Sequence, residues 1–289
     1  MTLAPPPVPL PEARPVTLSG RGRLHLRELE GPPGAPTVLL LHGWTVTADL
    51  NWFATYGPLA EHFRVLAIDH RGHGRGIRSR RPFRLEDCAD DAAAVAAEVG
   101  VDRLIPVGYS MGGLVAQLMW QRHRHLVAGM VLCATARSFD SPDLRSRLWF
   151  SSLLGLSVAS RVTPVSVRRQ LAGNLIRRRL QGGELADWGT AEMEQNDHTA
   201  VLEAGWAIGR FRSHDWIGDV DVPAAVVVTA LDQVVSPRRQ RDLVAAIPGA
   251  AVLEVQADHG ACVTDAPRFV PALVAACTGV ATKAGLTAG

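Results

Sequence analysis

Ser110 stands at the centre of Gly108-Tyr109-Ser110-Met111-Gly112 and has the makings of a nucleophile. An apolar run that reads as a strand, Leu104 to Val107, precedes this stretch, and a helix-like run, Leu114 to Arg122, follows it. A strand that reverses sharply into a helix holds its central residue in a strained conformation. The two arms pass so closely that only glycine fits two positions on either side. Such a turn lifts the hydroxyl out of the sheet edge. Taken alone, Gly-x-Ser-x-Gly is an ordinary loop; the flanking strand and helix turn it into a mechanism.

A serine hydroxyl is a poor nucleophile at neutral pH and needs a base, and the base needs an orienting group. His259 follows the predicted strand Ala251 to Val255, and Asp232 follows the predicted strand Ala224 to Thr229. Singly, such residues are a solvated histidine and a turn-forming or helix-capping aspartate. Three of them ending three strands at one edge form a nucleophile, a base and an acid in the chain order Ser, Asp, His. Asp258, adjacent to His259, points elsewhere, and Asp265 caps the helix at Pro267. Attack on a carbonyl also builds negative charge, which needs preorganised donors. The backbone N–H of Met111 supplies one and that of Trp44 the second. The Trp44 indole either lines an acyl pocket or covers the core. His42 is read as a structural residue bonded inside its loop.

The elements that must place these residues are strands alternating with helices. Val16 to Leu18 and Leu24 to Glu28 form a hairpin. Thr37 to Leu41 is a continuous apolar strand, as expected when both faces are buried. A helix around Trp52 to His62, strand Arg64 to Ile68, helix Leu85 to Val99, the serine turn and strand Gly129 to Cys133 follow. The alternation then gives way to helical segments, including Leu144 to Leu156, Val165 to Leu180 and Ala200 to Phe211. It resumes with strand Ala224 to Thr229, helix Pro237 to Ala246, strand Ala251 to Val255 and helix Pro267 to Cys277.

This order predicts an α/β fold: a doubly wound, mostly parallel sheet with right-handed crossovers and a helical cap inserted after the sixth strand. The expected organisation is a flexible N-terminal arm over 1–15, a core over 16–137 and 220–281, the cap over 138–219 and a tail over 282–289. Within the cap, Trp149, Phe150 and Leu153, with Trp44 and Tyr109 from the core, are the candidate substrate-binding residues; packing onto the core is the plainer role for the cap apolar groups.

A net charge of +2 in 289 residues points away from nucleic acid, and no apolar run approaches the length of a membrane span. Cys88, Cys133, Cys262 and Cys277 form no Cys-x-x-Cys pair, so neither a zinc site nor a disulfide framework is expected, and a cytoplasmic protein with buried free thiols is. The glycines after Asp69 lack dinucleotide-loop spacing, and no cofactor or metal is expected. His70 and His73 belong to a tight turn in which Asp69 and Arg71 make buried salt bridges. His123 and His125, at a helix end, face water. The first half of the cap is arginine-rich and the second acidic, a pattern that mutual packing of the helices explains; contact of the arginines with an anionic membrane surface is the minor alternative.

These motifs together resemble the α/β-hydrolase family over essentially everything after the N-terminal arm. The resemblance rests on His42-Gly43-Trp44, on Asp69-His70-Arg71-Gly72-His73-Gly74, on the Gly108 to Gly112 turn, on Leu231-Asp232 with Val235-Ser236-Pro237, and on His259. It implies acyl transfer through an acyl-enzyme on Ser110, with a small acyl ester as substrate. Serine at the turn sets the chain apart from similar epoxide hydrolases and haloalkane dehalogenases, which carry aspartate there. It is most similar to carboxylesterases, monoacylglycerol lipases and enol-lactonases. Lactone, thioester, carbon–carbon and perhydrolytic chemistry use the same triad, and some receptors keep the fold with little turnover. One departure is Ala257-Asp258 before His259, where such proteins commonly have glycine.

Overall fold

Apolar runs of five or six residues, too short for helices and buried on both faces, build the centre of an eight-stranded sheet. The computed structural model describes residues 6–139, 144–163 and 183–286, excluding the side chains of 144–149 and 161–162. The strands are β1 (Ala13–Leu18), β2 (Gly22–Leu29), β3 (Thr37–Leu41), β4 (Arg64–Ile68), β5 (Ile105–Tyr109), β6 (Met130–Cys133), β7 (Ala224–Thr229) and β8 (Ala251–Val255). They lie in the order β1-β2-β4-β3-β5-β6-β7-β8. β1, β2 and β4 pair antiparallel, and every pairing from β4 through β3 to β8 is parallel. The doubly wound sheet expected from the sequence is present. The first strand begins at Ala13, inside the segment expected as an arm.

Side chains alternate along each strand, so each strand feeds two cores. Leu39, Leu41, Val226 and Val228 pack with helices α3 (Leu85–Glu98) and α4 (Met111–Arg122). Val38, Leu40, Ile105, Val107 and Val227 face α1 (Ala48–Trp52), α2 (Tyr56–Ala60) and the long C-terminal helix Ala266–Lys283. The single helix expected around Trp52 to His62 is two short ones. Pro58 has no N–H and its ring collides with the carbonyl four residues back, so the helix cannot continue through residues 53–55.

Between β6 and β7 the described chain forms α5 (Leu144–Val162), α6 (Glu184–Met193) and α7 (His198–Arg210). The insertion is rooted where its ends meet: Ser138 bridges Arg212, and Ser213 N–H donates to the Arg137 carbonyl at 2.9 Å. Residues after this root return to the core, where Ile217 is buried and Trp216 stacks on Trp120, although the sequence suggested that the cap runs to 219. The expected helix Val165 to Leu180, and with it the packing of oppositely charged helices, lies outside the described residues. After β7 come α8 (Pro237–Ala246), then β8, α9 (Ala261–Thr264) and α10 (Ala266–Lys283). Among the described residues no helix is long and apolar enough to cross a membrane, and all four cysteines are free and buried.

Candidate active site

Because β3 through β8 run parallel, their carboxyl ends share one edge, and the chain leaves β3 for β4 on one side and reaches β5 on the other. Loops diverge at such a switch point and leave a crevice. The loop after β3 and the serine turn after β5 meet there: a Cβ placed on Gly43 would lie 3.5 Å from the Ser110 Cβ. Ser110 has φ 52, the strained conformation expected of the turn. Its N–H donates to the Cys133 carbonyl at 2.9 Å, and its own carbonyl accepts from the Thr135 hydroxyl at 2.8 Å. α4 begins at Met111, directly after the serine and earlier than expected. The Met111 N–H is therefore among the amides of the first turn that have no acceptor within the helix, at its positive end.

The structure brings Ser110, Asp232 and His259 together. His259 Nε2 lies 3.1 Å from Ser110 Oγ, and His259 Nδ1 lies 2.7 Å from Asp232 Oδ2. Asp232 Oδ1 accepts the N–H groups of Val234 and Val235, each at 2.8 Å, and Oδ2 accepts the Thr229 hydroxyl at 2.8 Å. Burial opposes ionisation of this carboxyl, but the bonds from His259, Val235 and Thr229 outweigh it and hold it below its ordinary range. Asp232 is thus a fixed anion under the imidazole.

Thr229 and Gln240 complete the support, and sequence reasoning passed over both. Gln240, fully buried on α8, donates from Nε2 to the Val235 carbonyl at 2.7 Å and to Asp232 Oδ2 at 3.2 Å, while its Oε1 accepts Thr229 N–H at 3.0 Å. A polar residue among the apolar positions of a helix beside the Asp232 loop was the available signal.

Tyr109 is not where the sequence reading put it. It is 3% exposed, packs edge-on against Trp52 and Phe269, and donates from its hydroxyl to the His259 carbonyl at 2.8 Å. It supports the His259 loop from inside the core instead of lining a substrate pocket. The alternation of β5 carried this information, since Tyr109 shares a face with Ile105 and Val107, both buried in the same core. Asp258 does turn away, accepting the Gly260 N–H at 2.8 Å. Asp265 occupies the N-cap of α10 without a capping bond and pairs with Arg268 at 2.7 Å instead.

The Trp44 indole donates to the Val201 carbonyl of α7 at 2.7 Å, and both its ring and Leu153 of α5 close in on Gly205. It thus joins core to insertion. Phe150 packs against Gly209, and the Trp149 side chain lies outside the described residues. Leu231 and Val234, close to Asp232 in sequence, are exposed. A separate cleft lined by Arg71, Phe83, Asp197 and Glu203 includes none of Ser110, Asp232 and His259. Three of its charged groups are engaged structurally: Arg71 with Asp91, Glu203 with the Phe83 N–H and Asp197 with the first turn of α7.

His42 is structural, as expected, and its place is informative. Nε2 accepts the His70 N–H at 2.9 Å, so Nδ1 carries the proton and donates to the Gly43 carbonyl at 2.7 Å. The peptide that bears this carbonyl also bears the Trp44 N–H, and a planar trans peptide points the two in opposite directions. His42 thereby fixes the direction of the Trp44 N–H. The buried salt bridge of the neighbouring turn belongs to Arg71 and Asp91 at 2.8 Å. Asp69, expected to share that role, instead accepts the N–H groups of Ala48 at 2.6 Å and Arg75 at 2.7 Å. His123, expected in water, contacts Asp90 at 2.8 Å, whereas His125 is exposed.

Burial pushes His42 down to about 4 and His73 to about 3, and it carries His70 well below its ordinary value. All three are neutral at pH 7. Their ordinary value is 6.5, so below pH 6.5 the unfolded chain takes up protons that the folded one refuses. Stability is therefore full above pH 6.5 and is lost as pH falls towards 4 and then 3, at about 1.4 kcal/mol per pH unit for each histidine. The urea midpoint is expected to fall steadily between pH 6.5 and 4.5; a flat profile there would contradict the buried neutral cluster.

Residues 36–266 match the family model described as the alpha/beta hydrolase fold. The chain is 42% identical over 84 residues to a bifunctional esterase/perhydrolase from Acinetobacter calcoaceticus, covering 29% of this chain and 30% of that one. It is 35% identical over 116 residues to a pimeloyl-[acyl-carrier protein] methyl ester esterase from Sodalis glossinidius, covering 39% and 43%. In each case the match spans less than half of the relative's length. Among solved structures, an enol-lactonase from Burkholderia xenovorans superimposes with a TM-score of 0.76 at 23% identity, over 92% of this chain and 100% of that one. An esterase from Thermogutta terrifontis gives 0.75 at 22% identity, over 93% and 99%. The match to the family model spans most of the sheet, the serine turn and the loops bearing Asp232 and His259, and the chain belongs to the alpha/beta hydrolase fold family.

Proposed function

We propose that the protein is a serine esterase that cleaves a carboxylic ester through an acyl-enzyme on Ser110. The observation that carries this reading is the hydrogen-bond line from Ser110 Oγ through His259 to the ionised Asp232. Ser110 Oγ attacks the ester carbonyl carbon as its proton passes to His259 Nε2. The carbonyl oxygen becomes an oxyanion that accepts the N–H groups of Trp44 and Met111. Collapse of this intermediate breaks the ester C–O bond, and His259 returns the proton to the departing alcohol. Water then gives a proton to His259 as it attacks the acyl carbon. Release of Ser110 Oγ, which regains that proton, frees the carboxylic acid. Asp232 stabilises the imidazolium formed in each half and stays ionised throughout.

An apolar acyl group suits Trp44 and Leu153, which approach Gly205 of the insertion, and the exposed Leu231 and Val234 that flank Asp232 in sequence. A fluorophosphonate probe is expected to label Ser110, and a panel of p-nitrophenyl esters of increasing acyl length to be hydrolysed. The absence of both labelling and hydrolysis would refute the reading. The bifunctional esterase/perhydrolase relative favours one further reaction of the same acyl-enzyme: hydrogen peroxide replaces water as the attacking group and a peracid leaves. Peracid release on adding peroxide to the ester assay would register it.

A further inference from the structure

The loop after β3 carries the Trp44 N–H, yet much of what holds it comes from the insertion. Three hydrogen bonds among the described residues reach across. The Trp44 indole donates to the Val201 carbonyl at 2.7 Å, Asn196 Nδ2 donates to the Thr45 carbonyl at 2.6 Å, and the Thr47 hydroxyl donates to Glu192 Oε2 at 2.8 Å. The residue between the outer two is strained: Thr45 has φ 70, a conformation that a β-branched side chain disfavours. Such a conformation persists only where the surroundings over-determine it. Asn196 is buried at the junction of α6 and α7, and its other amide atom, Oδ1, accepts the Gly74 N–H at 2.8 Å. Next to it, the Asp197 N–H donates to the Gly72 carbonyl at 2.7 Å. The Asn196 side chain is thus clamped from the core at one end and grips the strained peptide at the other.

We propose that Asn196 is a positioning residue for the oxyanion loop, so that the seated insertion, and not the core alone, completes the site. The proposal rests on the serine-esterase reading, in which the Trp44 N–H is an oxyanion donor. His42 sets the direction of that N–H from the core side, through the Gly43 carbonyl. Asn196 sets the path of the chain that leaves it, one residue later. Losing the grip lets Thr45 relax towards negative φ and swings the Trp44 amide off the position where charge develops. Substrate binding under the insertion changes little, because the two side-chain hydrogen bonds of Asn196 go to Gly74 and Thr45 and not to Ser110 or His259.

The test uses the full chain with Asn196→Ala and Asn196→Asp; aspartate keeps an acceptor for Gly74 but loses the donor to Thr45. Both are expected to lower kcat by about 10- to 100-fold with KM within about twofold, and to weaken binding of an alkyl boronic acid in proportion to kcat. Amide hydrogen exchange is expected to quicken at residues 43–47 and to stay unchanged at residues 229–235. Adding Thr45→Gly to Asn196→Ala should recover part of the lost kcat, because glycine takes φ 70 without strain. Unchanged exchange at residues 43–47, an unchanged kcat, or a loss that Thr45→Gly fails to relieve each overturns the proposal. A wild-type protein that neither hydrolyses esters nor takes up fluorophosphonate refutes the esterase reading instead, and the exchange measurement still decides whether Asn196 holds the loop.

Discussion

Ser110→Ala is expected to lower kcat/KM for a short-chain p-nitrophenyl ester by about 10⁴-fold or more, roughly 5.5 kcal/mol of lost transition-state stabilisation. The substitution removes only the atom that attacks. Its backbone anchors remain, because the N–H bond to the Cys133 carbonyl at 2.9 Å and the Thr135 bond to the Ser110 carbonyl at 2.8 Å involve main-chain atoms of residue 110. Alanine meets the same strain as serine at φ 52, so folding should be preserved. Thermal unfolding within about 2 °C of the wild type would show that the loss is chemical, since surface and site changes that create no cavity or clash stay small. The Asp232 and His259 contact at 2.7 Å also survives. Retention of more than a few per cent of the activity would mean that another group attacks the ester.

Gly112→Val is expected to be the most damaging single change to the fold. A Cβ at residue 112 would lie 2.0 Å from the Leu41 carbonyl oxygen and 2.8 Å from that of His42. Both obstacles are backbone, belonging to β3 and to the loop that holds the proposed oxyanion donor, so neither can rotate aside. Either α4 or β3 must move, and each is locked into the same core through residues such as Leu114 and Leu39. A cost above about 4 kcal/mol follows, which for a chain of this size lowers Tm by roughly 10 °C and leaves much of the protein insoluble. Gly279 provides the contrast. It lies within α10 with nothing inside 4 Å of a new Cβ, and alanine there should be neutral or stabilising by up to about 1 kcal/mol. Paired thermal melts of the two variants check both statements; a Gly112 variant that melts like the wild type would refute the close-approach argument.

Much of the site could be read along the chain because a parallel sheet imposes a rule. Residues that follow strands converge on one edge whatever lies between them, so Ser110, Asp232 and His259 could be grouped without knowing a single contact. Buried strands declared themselves as continuous apolar runs: β3 and β7 were found with the ends they have in the structure. Helix ends were less legible where one residue changes the outcome, as Pro58 does in dividing α1 from α2 and as Ser110 does in starting α4 one residue later. Tyr109 was misplaced because its neighbour is the proposed nucleophile, although its face of β5 already pointed into the core. Thr229 and Gln240 escaped because their work is to saturate the lone pairs of Asp232, a duty hinted at only by a polar residue at a buried position of α8.

The sequence by itself determined the alternation of strands and helices, the serine turn and the set of strand-end residues from which a nucleophile, base and acid are drawn. Each follows from local pattern or from the topology that such a pattern permits. Only the tertiary structure decided how the loop bearing Trp44 is held. Asn196 and Thr45 are 151 residues apart, and their bond requires the insertion to fold back over the sheet edge. Local periodicity records which face of a helix is buried. It holds no trace of which distant carbonyl one side-chain amide will meet, because that distance is set by the packing of the whole insertion on the core.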